Sequence, residues 1–360
     1  MNTILLNTLK LESGVALRQV PVAYRTWGSL NSRGDNAIVV CHALTGNTDI
    51  DEWWGGLLGP GKALDTDLFY VIAANVLGSP YGSVSPITLN PDSGEPYGAS
   101  FPEITIRDTV NAHRLLLDHL GVCSVELVVG GSMGGMQVLE WALLGDFVKH
   151  IAPIAVGGRH SAWCIAWSEA QRQAIFADPN WKGGHYAEGS EPVAGLSAAR
   201  MMAMVSYRSM AIYDNRFGRT RQEDDDSLWA VEGYLRYQGQ KLVDRFDANC
   251  YVKLTRQMDT HDVSRGRGEY REILQGIQQP ALVIGIDSDI LYPLREQEEL
   301  AEHLPNSTLR VLVSPQGHDA FLIEIDTLNE LIGEWLKEQM ASVPISTSPS
   351  SFQLRKNGCT

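Results

Sequence analysis

Residues 125–145 read VELVVGGSMGGMQVLEWALLG, and this stretch is the most informative part of the chain about its fold. Val125 to Val129 is a short, mostly β-branched run of the kind that forms a buried strand. Met133 to Leu144 carries apolar residues at roughly helical spacing, so a helix is expected to follow. Between them stands G-x-S-x-G, with Ser132 at its centre. A sharp strand-to-helix turn of this kind exposes its central side chain, so the pattern predicts a nucleophilic serine.

The glycines around this serine have a physical reason. Gly130 and Gly134 flank Ser132, where a Cβ would clash in so tight a turn. Ser132 also precedes a helix, whose free N–H groups and dipole favour developing negative charge. The alternative is a glycine-rich packing turn without chemistry, so the prediction depends on finding partners for the serine.

Strands and helices alternate along much of the chain. Strands are predicted over 37–41, 68–74, 150–156, 281–286 and 309–313, and helices over 106–120 and 326–341, in addition to the pair around Ser132. This alternation predicts an α/β fold with a mostly parallel central sheet flanked by helices.

The alternation stops between residues 159 and 268. Helices are predicted over 197–209 and 227–238, with the acidic run 224–226 directly before the second. Helices inserted between two halves of a sheet suit a lid over a site at the strand ends. We therefore expect a core of residues 1–158 and 269–341, a helical lid insertion over 159–268, and a flexible, Ser- and Pro-rich tail over 342–360.

Composition excludes several classes of function. The 360 residues are 44% apolar, enough for a large core, and the net charge of −14 argues against a nucleic-acid surface. No signal-like segment or long apolar run occurs, so we expect a cytoplasmic protein without a membrane span. Five scattered cysteines form no C-x-x-C pair, and no metal site is expected.

Candidate partners of Ser132 follow the last two predicted strands. A serine hydroxyl needs a base, and the base needs an orienting acid. The run ALVIGI precedes Asp287-Ser288-Asp289, and LRVLV precedes a loop that holds His318. Among nine histidines, His318 alone has both the order and the strand-end placement expected of the base. We favour Asp289 as the acid because apolar residues follow it and can bury the pair, and Asp287 is the alternative.

An oxyanion formed at Ser132 needs two backbone N–H donors. One is expected from Met133, directly after the nucleophile. The other is expected from the loop CHALTG after the first predicted strand, with Leu44 as the best candidate. His42 is interpreted as a residue of this oxyanion loop and not as the base.

Six separated motifs resemble the homoserine O-acetyltransferase family, which has the α/β-hydrolase fold. They are GGSMGGMQVLEW, CHALTGN, SPITLNP, FDANCY, SDILYP and GHDAFL, and the resemblance spans about Leu11 to Leu336.

The resemblance implies transfer of an acetyl group from acetyl-CoA to the hydroxyl of L-homoserine, in methionine biosynthesis. The family's triad falls on Ser132, Asp289 and His318, and the implied mechanism is ping-pong through an acetyl-serine. Acetyl-CoA is a co-substrate, and no other cofactor is expected. The family also suggests a homodimer formed through the lid.

Three further residues match substrate-binding positions of that family. Arg200 and Tyr207 match its arginine and tyrosine, and Asp319 matches the aspartate directly after its catalytic histidine. An arginine can hold an amino-acid carboxylate in a bidentate manner, and an aspartate can hold an α-ammonium. Arg208 is a nearby rival for the arginine role.

Other activities share the same triad. An esterase or thioesterase of this fold would need neither Arg200 nor Asp319, which suit a zwitterionic acceptor. A succinyl-CoA donor, or serine as the acceptor, is compatible with the same motifs.

Overall fold

The computed structural model describes residues 1–223 and 225–341. The strands are β1 (Asn2–Lys10), β2 (Ala16–Trp27), β3 (Ala37–Cys41), β4 (Tyr70–Ala74), β5 (Val125–Gly131), β6 (Val148–Ile154), β7 (Arg221–Gln222), β8 (Asp225–Trp229), β9 (Ala281–Ile286) and β10 (Ser307–Leu312). The helices are α1 (Ile50–Trp53), α2 (Ile106–His119), α3 (Met133–Ala142), α4 (Ala162–Phe176), α5 (Val193–Tyr207), α6 (Met210–Phe217), α7 (Ala230–Val243), α8 (Ala248–Asp259), α9 (Tyr270–Gln275), α10 (Leu294–His303), α11 (Ala320–Ile323) and α12 (Ile325–Ala341).

One eight-stranded sheet organises the described chain, in the order β1-β2-β4-β3-β5-β6-β9-β10. The strands from β4 to β10 in this order pair in parallel, and β1 and β2 join antiparallel at one edge. The carboxyl ends of β5, β9 and β10 therefore lie on the same side of the sheet, where sites of open α/β sheets form.

Two apolar layers cover the sheet, one on each face. Alternate residues of β3 point to opposite layers: Val39 packs with residues of α2 and α3, whereas Ile38 and Val40 pack with residues of α12. Burial on both faces explains why the central strands read as continuous apolar runs in the sequence.

The sequence predicts the central strands better than the edge. The runs at Ala37–Cys41 and Ala281–Ile286 are strands over the predicted residues. Sequence reasoning missed β1 and β2, because exposed and buried residues are mixed along both and neither is a continuous apolar run. The two strands pair along most of their length as an antiparallel ladder.

The segment between β6 and β9 is mainly helical and carries α4 to α9. The helix predicted over 197–209 is Val193–Tyr207, and it ends where Arg208 takes an extended conformation. The prediction of a helix from residue 227 was wrong at its start: Asp225–Trp229 is a strand paired with β7, and the helix begins at Ala230. Asp224 and the predicted tail 342–360 lie outside the described residues.

Two classes of feature are absent from residues 1–223 and 225–341. No helix there is long and apolar enough to cross a membrane. No group of three or more His, Cys, Asp or Glu side chains in that part of the chain is arranged to hold a metal ion.

Candidate active site

Ser132 sits between β5 and α3 in a backbone conformation that non-glycine residues rarely adopt. Its φ is 58° and its ψ is −124°. A Cβ at Gly134 would lie 2.2 Å from the carbonyl oxygen of Cys41, and one at Gly130 would lie 2.6 Å from the same atom. The turn can close against β3 only because both flanking residues are glycine. Ser132 is 6% exposed.

Asp289 and His318 are in direct contact. The Nδ1 atom of His318 lies 2.6 Å from Oδ2 of Asp289. The other oxygen, Oδ1, accepts hydrogen bonds from the backbone N–H groups of Leu291 and Tyr292, at 2.8 and 2.9 Å. Asp287 instead accepts from the backbone N–H of Ser314, at 2.9 Å. The geometry thus favours Asp289 as the acid and gives Asp287 a role in joining the two loops.

Packing brings the His318 loop close to the serine turn. The Phe321 ring of α11 meets the His318 ring edge to face, with centroids 5.5 Å apart. A Cβ at Gly131, the residue before Ser132, would lie 2.7 Å from the same Phe321 ring. One aromatic side chain therefore bridges the backbone next to the serine and the histidine.

The electrostatic environment suits His318 as a base. Burial disfavours the charged imidazolium, but the Asp289 carboxylate outweighs it, so the pKa of His318 is raised above its ordinary value. The remaining ring nitrogen, Nε2, is buried and has no hydrogen-bond partner among the described residues. That atom is the one that would take a proton from a nucleophile.

The two candidate oxyanion donors occupy suitable backbone positions. Met133 is the first residue of α3, where the N–H has no partner within the helix. Leu44 lies in the tight turn 43–46, which is closed by a 2.9 Å backbone hydrogen bond. His42 supports this loop, because its Nε2 accepts the N–H of Val76 at 3.0 Å and burial lowers its pKa to about 4, so it stays neutral.

The helix α5 brings Tyr207 and Arg200 to the same place. The Tyr207 ring centroid lies 5.7 Å from that of His318, and the Arg200 guanidinium carbon lies 5.6 Å from the Tyr207 centroid. Burial raises the pKa of Tyr207 to about 12, so the phenol stays protonated. The Nη1 atom of Arg200 is buried without a hydrogen-bond partner in the described chain.

Asp319 pairs with Arg208 and not with Arg200. Its Oδ2 lies 3.2 Å from Nε of Arg208, whose Nη1 donates to Oε1 of Gln316 at 3.0 Å. Burial raises the pKa of Asp319, against the opposing effect of Arg208 and of the His318 and Arg200 charges. Arg208, which sequence reasoning weighed only as a rival, therefore supports the Asp319 carboxylate.

A cavity of about 590 Å³ opens beside the turn that holds Leu44. Its lining includes Ala43 and Thr45 of that turn, together with three cations and Glu52. The cations are Arg200, Lys241 and Arg245. Arg245 donates from Nη1 to the Thr45 carbonyl oxygen at 2.9 Å, so it is fixed to the oxyanion loop.

Sequence reasoning missed two supports of the site. Tyr292 contacts both Asp289 and His318, and Ser288 joins the loops by donating to the Ser314 carbonyl and accepting the Gly317 N–H. Aspartate side chains in turns often accept from the backbone N–H two residues on, so the sequence could have indicated the bond from Leu291 but not the one from Tyr292. No local sequence pattern could have indicated that the Tyr292 ring stacks on the His318 ring.

Comparison with known proteins gives a matching family model and a relative that aligns with nearly the whole chain. The model of the alpha/beta hydrolase fold family matches residues 36–324. The chain is 62% identical over 347 residues to the homoserine O-acetyltransferase of Salinibacter ruber, which covers 95% of this chain and 99% of the relative.

Two solved structures resemble the fold closely. The homoserine O-acetyltransferase from Bacillus anthracis superposes with a TM-score of 0.87 at 25% identity, covering 93% of this chain and 96% of that one. Esterase E22 gives a TM-score of 0.86 at 27% identity, covering 93% and 99%. The fold alone therefore does not separate transferases from esterases, but the sequence does: the chain belongs to the homoserine O-acetyltransferase family of the alpha/beta hydrolase fold.

Proposed function

We propose that the protein transfers an acetyl group from acetyl-CoA to the hydroxyl of L-homoserine, through an acetyl-Ser132 intermediate. The observation that carries the acetyl-Ser132 step is the 2.6 Å contact between Asp289 and His318, with the second ring nitrogen buried and unpartnered among the described residues. The 62% identity to a homoserine O-acetyltransferase supports a transferase over an esterase with the same triad. This arrangement leaves Nε2 of His318, which makes no hydrogen bond to Ser132 in the described structure, able to accept one proton. We assign Ser132, which is also buried, as the group that supplies it.

In the first half-reaction, Nε2 of His318 takes the Ser132 proton while Oγ attacks the thioester carbonyl carbon. The N–H groups of Leu44 and Met133 hold the oxyanion of the tetrahedral intermediate. The intermediate collapses, the carbon–sulfur bond breaks, and the CoA sulfur leaves with the proton from His318. In the second half-reaction, His318 takes the homoserine hydroxyl proton while that oxygen attacks the acetyl carbon. The bond between this carbon and Oγ of Ser132 then breaks, and His318 returns the proton to Oγ.

Charges beside His318 support an amino-acid acceptor. The unpartnered Nη1 of Arg200 can hold a carboxylate, and Asp319 can hold an α-ammonium next to the base. Since Arg208 already neutralises part of the Asp319 charge, we infer that the ammonium shares that carboxylate with Arg208. An esterase that takes uncharged esters needs neither contact.

The cavity beside the oxyanion loop supports a CoA donor. Apart from Arg200, which we assign to the acceptor, two cations, Lys241 and Arg245, line it against one carboxylate, that of Glu52, in a chain whose net charge is −14. A local excess of positive charge attracts an anionic donor that the overall charge would repel. We propose that the phosphate-bearing arm of CoA enters here.

The segment between β6 and β9 is proposed as a lid. It places Arg200 and Tyr207 over the base, and a cover over the site would keep water from the acetyl-enzyme. We further propose, on the family resemblance, a cytoplasmic homodimer that serves methionine biosynthesis.

The competing function is ester hydrolysis, which the likeness to esterase E22 favours. A CoA-release assay separates the two when acetyl-CoA and succinyl-CoA are each combined with homoserine, serine or water. The proposal expects rapid release only with acetyl-CoA and homoserine together. Equal release in water alone would overturn the transferase function, and preference for succinyl-CoA or serine would overturn the substrate assignment.

A further inference from the structure

Tyr292 contacts both the acid and the base of the proposed triad from behind the site. Its side chain is fully buried, and its ring lies against the His318 ring, with centroids 5.2 Å apart and planes inclined by 27°. Its backbone N–H donates to Oδ1 of Asp289 at 2.9 Å. One residue therefore limits the tilt of the imidazole and also fixes the carboxylate that orients it.

The Tyr292 hydroxyl is itself held in place. Burial raises the pKa of Tyr292 well above its ordinary value, so the phenol keeps its proton. Its oxygen lies 3.1 Å from Nδ1 of His160, and burial lowers the pKa of His160 to about 3, so this imidazole is neutral. A neutral ring that accepts at Nδ1 must carry its hydrogen on Nε2. The Nε2 atom of His160 lies 3.7 Å from Oδ1 of Asp259, which is an electrostatic contact and not a hydrogen bond.

The far end of this contact chain belongs to the helices between β6 and β9. Asp259, the last residue of α8, is paired with Arg172 of α4 at 2.7 Å. The backbone N–H of His160 donates to the carbonyl oxygen of His261 at 2.8 Å. The hydrogen bond to His160 thus ties the ring that lies on His318 to the start of the proposed lid, and the ion pair between two helices of that lid lies beside His160.

We propose that Tyr292 is a positioning residue for His318, with its ring orientation fixed by the hydrogen bond to His160, which lies beside the Asp259–Arg172 pair. This inference rests on the proposed function only in taking His318 as the base. Burying a phenol, an imidazole and an ion pair costs more than an apolar core of the same volume would. Such a loss of stability is consistent with a gain in rate, because a small displacement of a catalytic base can reduce the rate by up to about 100-fold.

The test measures both half-reactions in Tyr292→Leu and Tyr292→Phe. The burst of p-nitrophenol from p-nitrophenyl acetate reports acylation of Ser132, and homoserine-dependent turnover reports the second step. Because His318 serves both steps, Tyr292→Leu is expected to slow both by a similar factor, about 10–100-fold, with the KM for homoserine changed less than about 3-fold. Tyr292→Phe keeps the ring and is expected to lose only about 2–10-fold.

Tyr186→Phe is the matched control. Tyr186 also has its hydroxyl in hydrogen bonds, with Asp247 at 2.7 Å and the Asn249 N–H at 2.8 Å, but no contact with His318 in the described structure. It is expected to show wild-type rates, even if its melting temperature falls as far as that of Tyr292→Phe.

Two results would overturn the inference. One is wild-type rates in a folded Tyr292→Leu protein, or, if that variant does not fold, wild-type rates in Tyr292→Phe. The other is a loss confined to the homoserine step, which would place Tyr292 in the acceptor site. A wild type that releases p-nitrophenol but does not acetylate homoserine would refute the proposed transferase and leave the Tyr292 comparison readable in the burst.

Discussion

At the scale of single residues, the backbone of Ser132 is strained, and neighbouring contacts hold it in that conformation. A positive φ at a non-glycine residue costs on the order of 1–3 kcal/mol and persists only where the surrounding structure enforces it. Here the enforcing contacts are the close approach of Gly130 and Gly134 to β3 and the Phe321 ring against Gly131. The strain keeps the serine at the start of α3, where an oxyanion is stabilised.

The acid assignment can be tested by two neighbouring substitutions. Asp289→Asn should lower kcat by about 10⁴-fold, the effect seen when a triad histidine loses its orienting carboxylate. Asp287→Asn is the control, since an asparagine oxygen can still accept the Ser314 N–H and the residue does not touch His318. The reverse ranking in steady-state kinetics would show that Asp287 is the acid.

The pH dependence of kcat/KM tests the charge state of the base. His318 must be neutral to accept a proton, and its pKa is raised because Asp289 outweighs burial. Activity should therefore fall as the pH drops through a value above 6.5, the ordinary pKa of histidine. In Asp289→Asn the burial remains without the carboxylate, so the residual activity should extend to lower pH. If the fall in kcat/KM at low pH occurs at the same or a higher pH in Asp289→Asn than in the wild type, this explanation is wrong.

At the scale of elements, the turn between β5 and α3 depends on glycines that cannot be replaced. A Cβ at Gly134 would lie 2.2 Å from the Cys41 carbonyl oxygen, so Gly134→Ala should destabilise the fold by about 3 kcal/mol, the upper end for overpacking. Gly333→Ala in α12 is the control, since its nearest contact is at 3.5 Å and alanine favours a helix by about 0.5–1 kcal/mol. Denaturant unfolding measures both, and an equal effect of the two changes would refute the steric argument.

The helix α5 carries the element-scale prediction for the acceptor site. Charge-assisted hydrogen bonds contribute roughly 1.5–3 kcal/mol, so Arg200→Ala should lower kcat/KM for homoserine by about 10–150-fold. Acetylation of Ser132 without acceptor should change little. Arg216→Ala removes the same charge from α6, where the guanidinium lies over the Phe217 and Tyr234 rings, and should leave both steps intact. A collapse of the first step alone would assign Arg200 to the donor.

How far the sequence predicts these elements depends on how local the determining interaction is. The turn between β5 and α3 could be predicted because its determinants are adjacent in the sequence. The pattern G-x-S-x-G between a strand and a helix favours one sharp turn with the serine at its centre. The choice of Asp289 over Asp287 was an inference from the apolar residues that follow it, and the 2.6 Å contact agrees with that choice. The pairing of Asp319 with Arg208 joins α11 to the end of α5, and no local pattern specifies it. The strand at Asp225–Trp229 replaced a predicted helical turn because pairing with β7 outweighed local propensity.

At the scale of the whole molecule, the fold serves two needs of a transferase. The parallel sheet brings the ends of β5, β9 and β10 together, so three distant parts of the sequence meet at one edge. The proposed lid between β6 and β9 carries Tyr207, whose ring lies beside that of His318, and Arg200, whose guanidinium lies beside Tyr207. An esterase needs the first of these arrangements, whereas a transferase also needs the second to hold an acceptor and to disfavour water.

The most direct test of the central claim is mass spectrometry of the protein quenched after mixing with acetyl-CoA alone. The account predicts one added acetyl group, located on the peptide that contains Ser132 and removed when homoserine is added before the quench. Ser132→Ala should show no such adduct. An unmodified Ser132 in an enzyme that acetylates homoserine at full rate would contradict the account, since the acetyl group would then pass directly from CoA to the acceptor.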